Sequence, residues 1–259
     1  MTENNTIGII GHGNVGKHLT IALHSSKAKD IVKVYNRSIV PGPLQVKGVP
    51  YSQDLKSVAN VRILIVCVKD EAIIEMLERI EDIVSPETIV CHCSGSIPST
   101  VIKPYFENYG VFYPLQTFSS NKDVDYSEIP FFITGGNSYS EEALRYLASK
   151  ISRRVDIISD DQRVSMHIAA IFACNYVNAM YSISHKLCKD FNISFDNLKP
   201  LIYETADKIK TLNPAEAQTG PAIRRDWDII YKHEDFLENY DSNIRAIYRE
   251  MADYITKFI

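Results

Sequence analysis

Three features of the 259-residue chain predict an α/β fold, in which a doubly wound, mostly parallel sheet is followed by an all-α C-terminal domain. Short apolar runs alternate with helix-patterned segments as far as residue 159. A glycine-rich turn joins the first run to the first helix. Beyond Ser159 strand signals stop and only helical patterns remain. Residues 1–159 are expected to form one domain and residues 160–259 a second, divided by a change of secondary-structure type with no linker.

The elements follow in order. Residues 6–10 (TIGII) read as a strand, 15–26 as a helix and 31–35 as a second strand. Residues 62–68 (RILIVCV) form a third, near-continuously apolar run, as expected of a strand covered on both faces in a parallel sheet. An amphipathic helix follows over 71–83, then strands over 88–92, 111–113, 131–134 and 155–158, with a helix over 140–152. Residues 160–191 read as one helix, roughly 45 Å long at 1.5 Å per residue. Ser159, Asp160 and Asp161 supply its N-cap and favourable negative charge. Three more helices are expected over 195–212, 221–237 and 242–258.

Gly11-His12-Gly13-Asn14-Val15-Gly16 sits between strand and helix, the setting in which a Gly-x-Gly-x-x-Gly turn points to a Rossmann-type dinucleotide site. Gly11 permits the tight turn, Gly13 lets the backbone approach a pyrophosphate, and Gly16 lets the helix pack on the strand. The helix start offers its N–H groups to the phosphates. His12 occupies a variable position, facing solvent or lining the pocket. The second strand ends in Tyr35-Asn36-Arg37-Ser38, where an NAD-selective site carries Asp or Glu for the ribose hydroxyls. Asn36 is neutral, Arg37 can fork onto a 2′-phosphate, and Ser38 adds a donor. One charge-assisted bond of about 1.5–3 kcal/mol gives roughly a 10- to 100-fold preference for NADP(H). The competing reading leaves Arg37 as a solvated loop charge.

Ligands in open α/β sheets bind beyond the carboxyl ends of the strands. Val68-Lys69-Asp70 and His92-Cys93-Ser94-Gly95-Ser96 both end strands there. Ser94 and Ser96 offer hydroxyls near the expected nicotinamide, or else simply form a small-residue turn. On the long helix His167, Ile171 and Asn175 follow at four-residue steps, with Asn178 on the same broad face. A lone histidine in an apolar stretch is more often a satisfied core residue. His167 with two asparagines facing a cofactor cleft makes an acid role equally plausible, since imidazole titrates near neutrality. In Gln218-Thr219-Gly220-Pro221-Ala222-Ile223-Arg224-Arg225-Asp226, Thr219 can cap a helix opened by Pro221. Arg224 and Arg225 then lie near the positive end of a helix dipole, and an anion would relieve that conflict. Pairing with Asp226, Asp228 or Glu216 is the alternative.

Taken together, GHGNVG, NRS, IVCVKD, CHCSGS, YPLQTFS (residues 113–119), HIAAIFACN and QTGPAIRRD resemble a family of NADP-dependent oxidoreductases. That family joins a Rossmann-like domain to a helical C-terminal domain of unknown function, and the resemblance covers essentially the whole chain. More distantly the arrangement is similar to pyrroline-5-carboxylate reductases, ketopantoate reductases and β-hydroxyacid dehydrogenases. In those relatives the helical domain builds the substrate site and a homodimer interface, which implies a homodimer here. β-Hydroxyacid dehydrogenases carry a catalytic Lys four residues before an Asn on the long helix. If Asn175 is that Asn, the Lys position is Ile171, which cannot transfer a proton, and His167 one turn earlier would take the role.

Composition narrows the remaining classes. With 28 basic and 32 acidic residues the net charge is −4, which provides no footprint for nucleic acid or an anionic membrane. No window approaches the ~18 uncharged apolar residues of a membrane span. Met1-Thr2-Glu3-Asn4-Asn5 lacks the basic and apolar regions of a signal peptide, so a cytoplasmic location is expected. Five dispersed cysteines suit reduced thiols better than a disulfide framework. Strand alternation sends His92 away from Cys91 and Cys93, so no metal is expected. The leading expectation is an NADPH-dependent reductase of a small carbonyl or imine compound, with a non-catalytic NADP(H)-binding sensor or scaffold as the alternative.

Overall fold

The computed structural model describes residues 6–26, 31–119 and 122–259; the opening residues 1–5, read above for a leader, lie outside them. The first strands fall where their apolar runs predict: β1 is Thr6–Ile10 and β2 is Ile31–Tyr35, with α1 (Asn14–Ser25) between them. A two-residue strand, β3 (Tyr51–Ser52), is too short to carry a periodicity and is not foreseen. Then come β4 (Ile63–Val66), α2 (Ile73–Ile80), β5 (Ile89–His92), β6 (Tyr109–Pro114), β7 (Phe131–Gly135), α3 (Ser138–Ser149) and β8 (Val155–Ile157). Among the described residues eight strands join one sheet in the order β3-β2-β1-β4-β5-β6-β7-β8. β6 and β7 pair antiparallel, and the other neighbours run parallel. The strand order reverses between β1 and β4, so their carboxyl ends flank the crevice where such sheets bind ligands.

Burial on both faces explains the continuous apolar runs. Ile9, Ile65 and Cys91 pack with Leu19 and Leu23 of α1, whereas Ile10, Val66 and Val90 pack with Leu77 and Ile80 of α2. The same alternation places Cys91 and Cys93 on the first of these cores, while the His92 ring meets the Pro98 carbonyl at 3.3 Å.

α4 (Asp160–Ala170) opens with the expected cap, a full capping box between Ser159 and Gln162. Residues 160–190 are helical throughout, yet a π-helical segment, Ile171–Tyr176, separates α4 from α5 (Val177–Asp190). The helix expected over 195–212 is shorter: a 3-10 turn, Phe195–Leu198, leads into α6 (Lys199–Lys208). α7 (Pro214–Ala217), α8 (Trp227–Tyr240) and α9 (Ser242–Phe258) complete the chain.

The start expected for the helix over 221–237 is overturned. Thr219 does not cap a helix opened by Pro221, because residues 221–225 form hydrogen-bonded turns and α8 starts only at Trp227. Arg225 adopts φ +56°, a left-handed conformation that interrupts a right-handed helical ladder. Arg224 and Arg225 therefore precede the helix instead of occupying its first turn.

The chain divides into two compact units, Met1–Cys174 and Asn175–Ile259. In the second, α8 and α9 pack around Ala222, Ile230 and Ala252, and buried Glu234 accepts two hydrogen bonds from Arg249 at 3.0 and 3.2 Å. Among the described residues no helix is long and apolar enough to cross a membrane.

Candidate functional site

The glycine turn is built by close backbone approach. Gly11 holds φ +96°, and a Cβ there would lie 2.5 Å from the Cys67 carbonyl oxygen. A Cβ on Gly16 would lie 2.1 Å from the Gly11 carbonyl oxygen, so both positions require glycine. Gly13 is different: nothing stands within 4 Å of where its Cβ would be. Gly13 is also the N-cap of α1, with no side-chain cap and no acidic residue in the first turn formed by Asn14, Val15 and Gly16. An open helix start of this kind fits a pyrophosphate, which would accept from its amides.

Asn36 ties this turn to β2. Its Oδ1 accepts from the His12 N–H at 3.0 Å, and its Nδ2 donates to the Ser38 carbonyl at 2.8 Å. The His12 ring is half-buried, with Nε2 3.1 Å from the Leu44 carbonyl and Nδ1 buried without a partner. Burial lowers the His12 pKa, while the Leu44 hydrogen bond opposes that shift.

A cavity of about 460 Å³ opens beside the turn, lined by Gly11, Asn36, Arg37, Val68 and Lys69. Five further lining residues, Glu71, Ala72, Glu75, Met76 and Arg79, in and just before α2, escaped the sequence reading. Arg79 donates to the Tyr35 hydroxyl at 3.4 Å, so two guanidinium-bearing residues line one cavity. The signal was available: residues 72, 76 and 79 share one face of a helix, and all three line the cavity. Ser38 is exposed beyond Arg37. Asp70 opens a 3-10 turn, Asp70–Ala72, directly after Lys69.

A second cluster forms past the end of β5. The Ser94 hydroxyl oxygen accepts from the N–H groups of Ser96 and Ile97, each at 3.0 Å, and the Ser94 N–H donates to His92 Nδ1 at 3.2 Å. Burial pushes the His92 pKa down to about 4, so its ring is neutral at physiological pH. Ser99 donates through its N–H and hydroxyl to Asp160, which also pairs with fully buried Arg163 at 2.6 Å. Arg163 reaches Thr134 of β7 and the Ile97 carbonyl as well, fixing α4 against this loop. Burial works to raise the Asp160 pKa, but the Ser99 and Arg163 hydrogen bonds outweigh it and hold the carboxyl below its ordinary value.

That anchoring brings His167 of α4 onto the loop. A Cβ on Gly95 would lie 2.5 Å from His167 Nδ1, so the imidazole rests against the glycine. The Tyr113 hydroxyl, at the end of β6, lies 2.9 Å from the same nitrogen. Sequence reasoning quoted Tyr113 within a motif without giving it a role; its signal was a polar tip closing an apolar strand.

Asn175, Gln218, Thr219 and Arg224 belong to the helical unit. Asn175 is exposed within the π-helical segment, where i→i+5 bonding breaks the four-residue step used to place it. The Gln218 side chain donates to the Thr219 carbonyl at 2.9 Å, Gly220 follows at φ +111°, and Arg224 is exposed.

The reversal of strand order at β1 and β4, with the glycine turn at its crevice, defines a protein of the Rossmann-like class. Comparison with known proteins agrees: a Rossmann-like domain model matches residues 2–116, and the model of a domain of unknown function, DUF2520, matches residues 129–255. Among solved structures, a "putative NADP oxidoreductase" from Bacteroides fragilis is 39% identical, over 97% of this chain and 98% of that one, with a TM-score of 0.89. The chain belongs to the family that joins a Rossmann-like domain to a DUF2520 domain.

Two more distant structures share the fold. A protein from Thermotoga maritima is 20% identical over 96% of both chains, with a TM-score of 0.73. A pyrroline-5-carboxylate reductase from Coxiella burnetii is 16% identical, over 99% of this chain and 100% of that one, with a TM-score of 0.61. No curated protein matches the chain.

Proposed function

We propose that this chain is an NADP(H)-dependent oxidoreductase that moves a hydride between nicotinamide and a small, anionic carbonyl or imine compound. One observation carries the reading: Gly11 of the glycine turn and Arg37 line the same cavity, and the turn leads into an open helix start at Gly13. The name of the Bacteroides fragilis relative supports both the cofactor and the reaction class.

When bound, the nicotinamide supplies or accepts the hydride. The residues of this chain do the rest. Amides of the Gly11–Gly16 turn hold the pyrophosphate, while Arg37 and Ser38 take the 2′-phosphate. Asn36 and Val68-Lys69-Asp70 shape the walls around the adenosine. His167 gives up a proton as hydride arrives, and takes one back in the reverse direction. Ser94 keeps its own hydroxyl proton to donate, because its oxygen only accepts in the loop. With Ser96 and Asn175 it orients the substrate, and Gln218, Thr219 and Arg224 hold the anionic group.

The protein works in the cytoplasm as a homodimer through its helical domain, residues 160–259. Support comes from α5 and α6, which contain no buried residue, while Met180, Leu201 and Tyr203 are exposed. Apolar helix faces of this kind need a second surface.

A melting series with NADPH, NADH, NADP and NAD tests the nucleotide assignment. A ligand at 100 times its Kd adds about 2.7 kcal/mol, or a few degrees in a chain of this size. NADPH and NADP are expected to raise Tm more than their unphosphorylated counterparts. Equal shifts would remove Arg37 from the 2′-phosphate, and no shift with any nucleotide would remove the enzyme reading altogether. NADPH binding without oxidation across a broad carbonyl and imine panel would favour a sensor or scaffold.

A further inference from the structure

The imidazole of His167 has two nitrogens, and its surroundings treat them differently. Nδ1 lies 2.9 Å from the Tyr113 hydroxyl. The same edge of the ring rests on Gly95, where a Cβ would approach Nδ1 to 2.5 Å and Cγ to 2.6 Å. Tyr113 is itself held in place: its ring is buried, packs in one cluster with Val111 and Phe132, and stacks on Phe132 with centroids 6.4 Å apart. The hydroxyl therefore reaches Nδ1 from a ring packed into the buried face of the sheet. The direction of the bond follows from chemistry. A histidine ready to give up a proton is an imidazolium, in which both nitrogens carry hydrogen and neither can accept. The bond then runs from Nδ1–H to the Tyr113 oxygen.

We infer that Nε2 is the nitrogen through which His167 exchanges its proton, and that Tyr113 and Gly95 are positioning residues that reserve Nδ1. This deepens the oxidoreductase reading given above and rests on it for the role of the proton. In the reductive direction the carbon of the C=O or C=N bond gains the hydride, its π electron pair moves onto the oxygen or nitrogen, and the Nε2–H bond breaks as the proton passes to that pair. The electron pair of that bond stays on Nε2. Nδ1 keeps its hydrogen and its bond to Tyr113, so the ring needs no rotation between its charged and neutral forms. Burial raises the Tyr113 pKa, with Arg163 opposing the shift, so the partner is a neutral phenol. A neutral partner orients the ring without adding a fixed counter-charge.

Histidine-selective 15N labelling tests this on the intact chain without substrate. On the doubly protonated ring, His167 is expected to show one slowly exchanging N–H at Nδ1 and one rapidly exchanging N–H at Nε2. The His167→Gln spectrum identifies the pair. In Tyr113→Phe the Nδ1–H should lose its protection, with its exchange rate rising to that of Nε2–H. Gly95→Ala should do the same by displacing the ring. A slow Nε2–H in the unmodified protein, or an Nδ1–H equally protected in Tyr113→Phe, would overturn the assignment. The unmodified protein decides the matter even if both variants fold poorly. NADPH titration of the same sample separates the two readings. Failure to bind would sink the cofactor and leave the imidazole result standing, whereas binding with the wrong nitrogen protected would sink only this inference.

Discussion

The two compact units bury their apolar residues very differently. In the sheet unit β1, β4, β5 and β6 are buried at every position. In the helical unit α5 and α6 bury none, and Leu201, Tyr203 and Phe258 are 63%, 70% and 71% exposed. A doubly wound sheet carries its own covering layers, because each crossover helix returns across a face of the strands it joins. Helices have no such built-in cover. The contrast sets the glycine turn and the His167 cluster in the densely buried unit and leaves apolar surface of the helical unit uncovered.

Leu77→Ala is the strongest way to test the self-sufficiency of the sheet unit. Leu77 is fully buried in the core beneath α2. Truncation should destabilise by about 2–5 kcal/mol, independent of protein concentration. Urea melts at two concentrations check both parts, and a loss below about 1 kcal/mol would mean that this core is not close-packed.

Acid should attack the same unit next. His92 is buried, with Nε2 facing the Pro98 carbonyl and Nδ1 facing the Ser94 N–H. A second ring proton would therefore point at a donor. Burial lowers the pKa from 6.5 to about 4, so the unfolded chain binds the proton more readily. The stabilising contribution is complete above pH 6.5 and is lost as pH falls towards 4, amounting to at most about 3 kcal/mol. His92→Phe should flatten Tm against pH across that window. An unchanged slope would place the acid sensitivity elsewhere.

Much of this contrast was legible in the sequence, for reasons of length and period. β1, β2 and α9 have the limits their patterns predict, because long apolar or amphipathic runs average out local noise. β3, at two residues, has no period to read. The start at Pro221 failed because proline placement signals a helix, while the left-handed Arg225 that forbids one leaves no mark in composition. In the candidate site the glycines and Arg37 were legible as a motif. Tyr113, Gly95 and Arg79 were not assigned, since their roles depend on which strand ends and helix faces the fold brings together.

Nucleotide selectivity is the next smaller effect, and it stays within the sheet unit. Arg37→Ala should weaken NADPH roughly 10- to 100-fold, or about 1.5–3 kcal/mol, and leave NADH nearly unchanged. Arg79→Ala should weaken both nucleotides, because its contact is with Tyr35 at the inner wall of the cavity. Calorimetric titration of the four protein–nucleotide pairs decides which arginine reads the extra phosphate. A larger NADPH-specific loss at Arg79 would transfer that role to α2.

The smallest effect is the most informative about the helical unit. Within a single chain Leu201 of α6 is largely solvent-exposed, so Leu201→Ala should change monomer stability by no more than about 0.5 kcal/mol. A homodimer that buries α6 would behave otherwise. The same substitution would then remove apolar area from an interface, costing about 1 kcal/mol or more per chain and lowering Tm most where the dimer is most populated. Sedimentation equilibrium and melts over a hundredfold concentration range distinguish the cases. If the unmodified protein is a monomer throughout and Leu201→Ala is silent, the uncovered helices are merely tolerated surface and the proposed dimer is wrong. If the variant is harmful only at high concentration, the second unit obtains from its partner the cover that the sheet unit makes for itself.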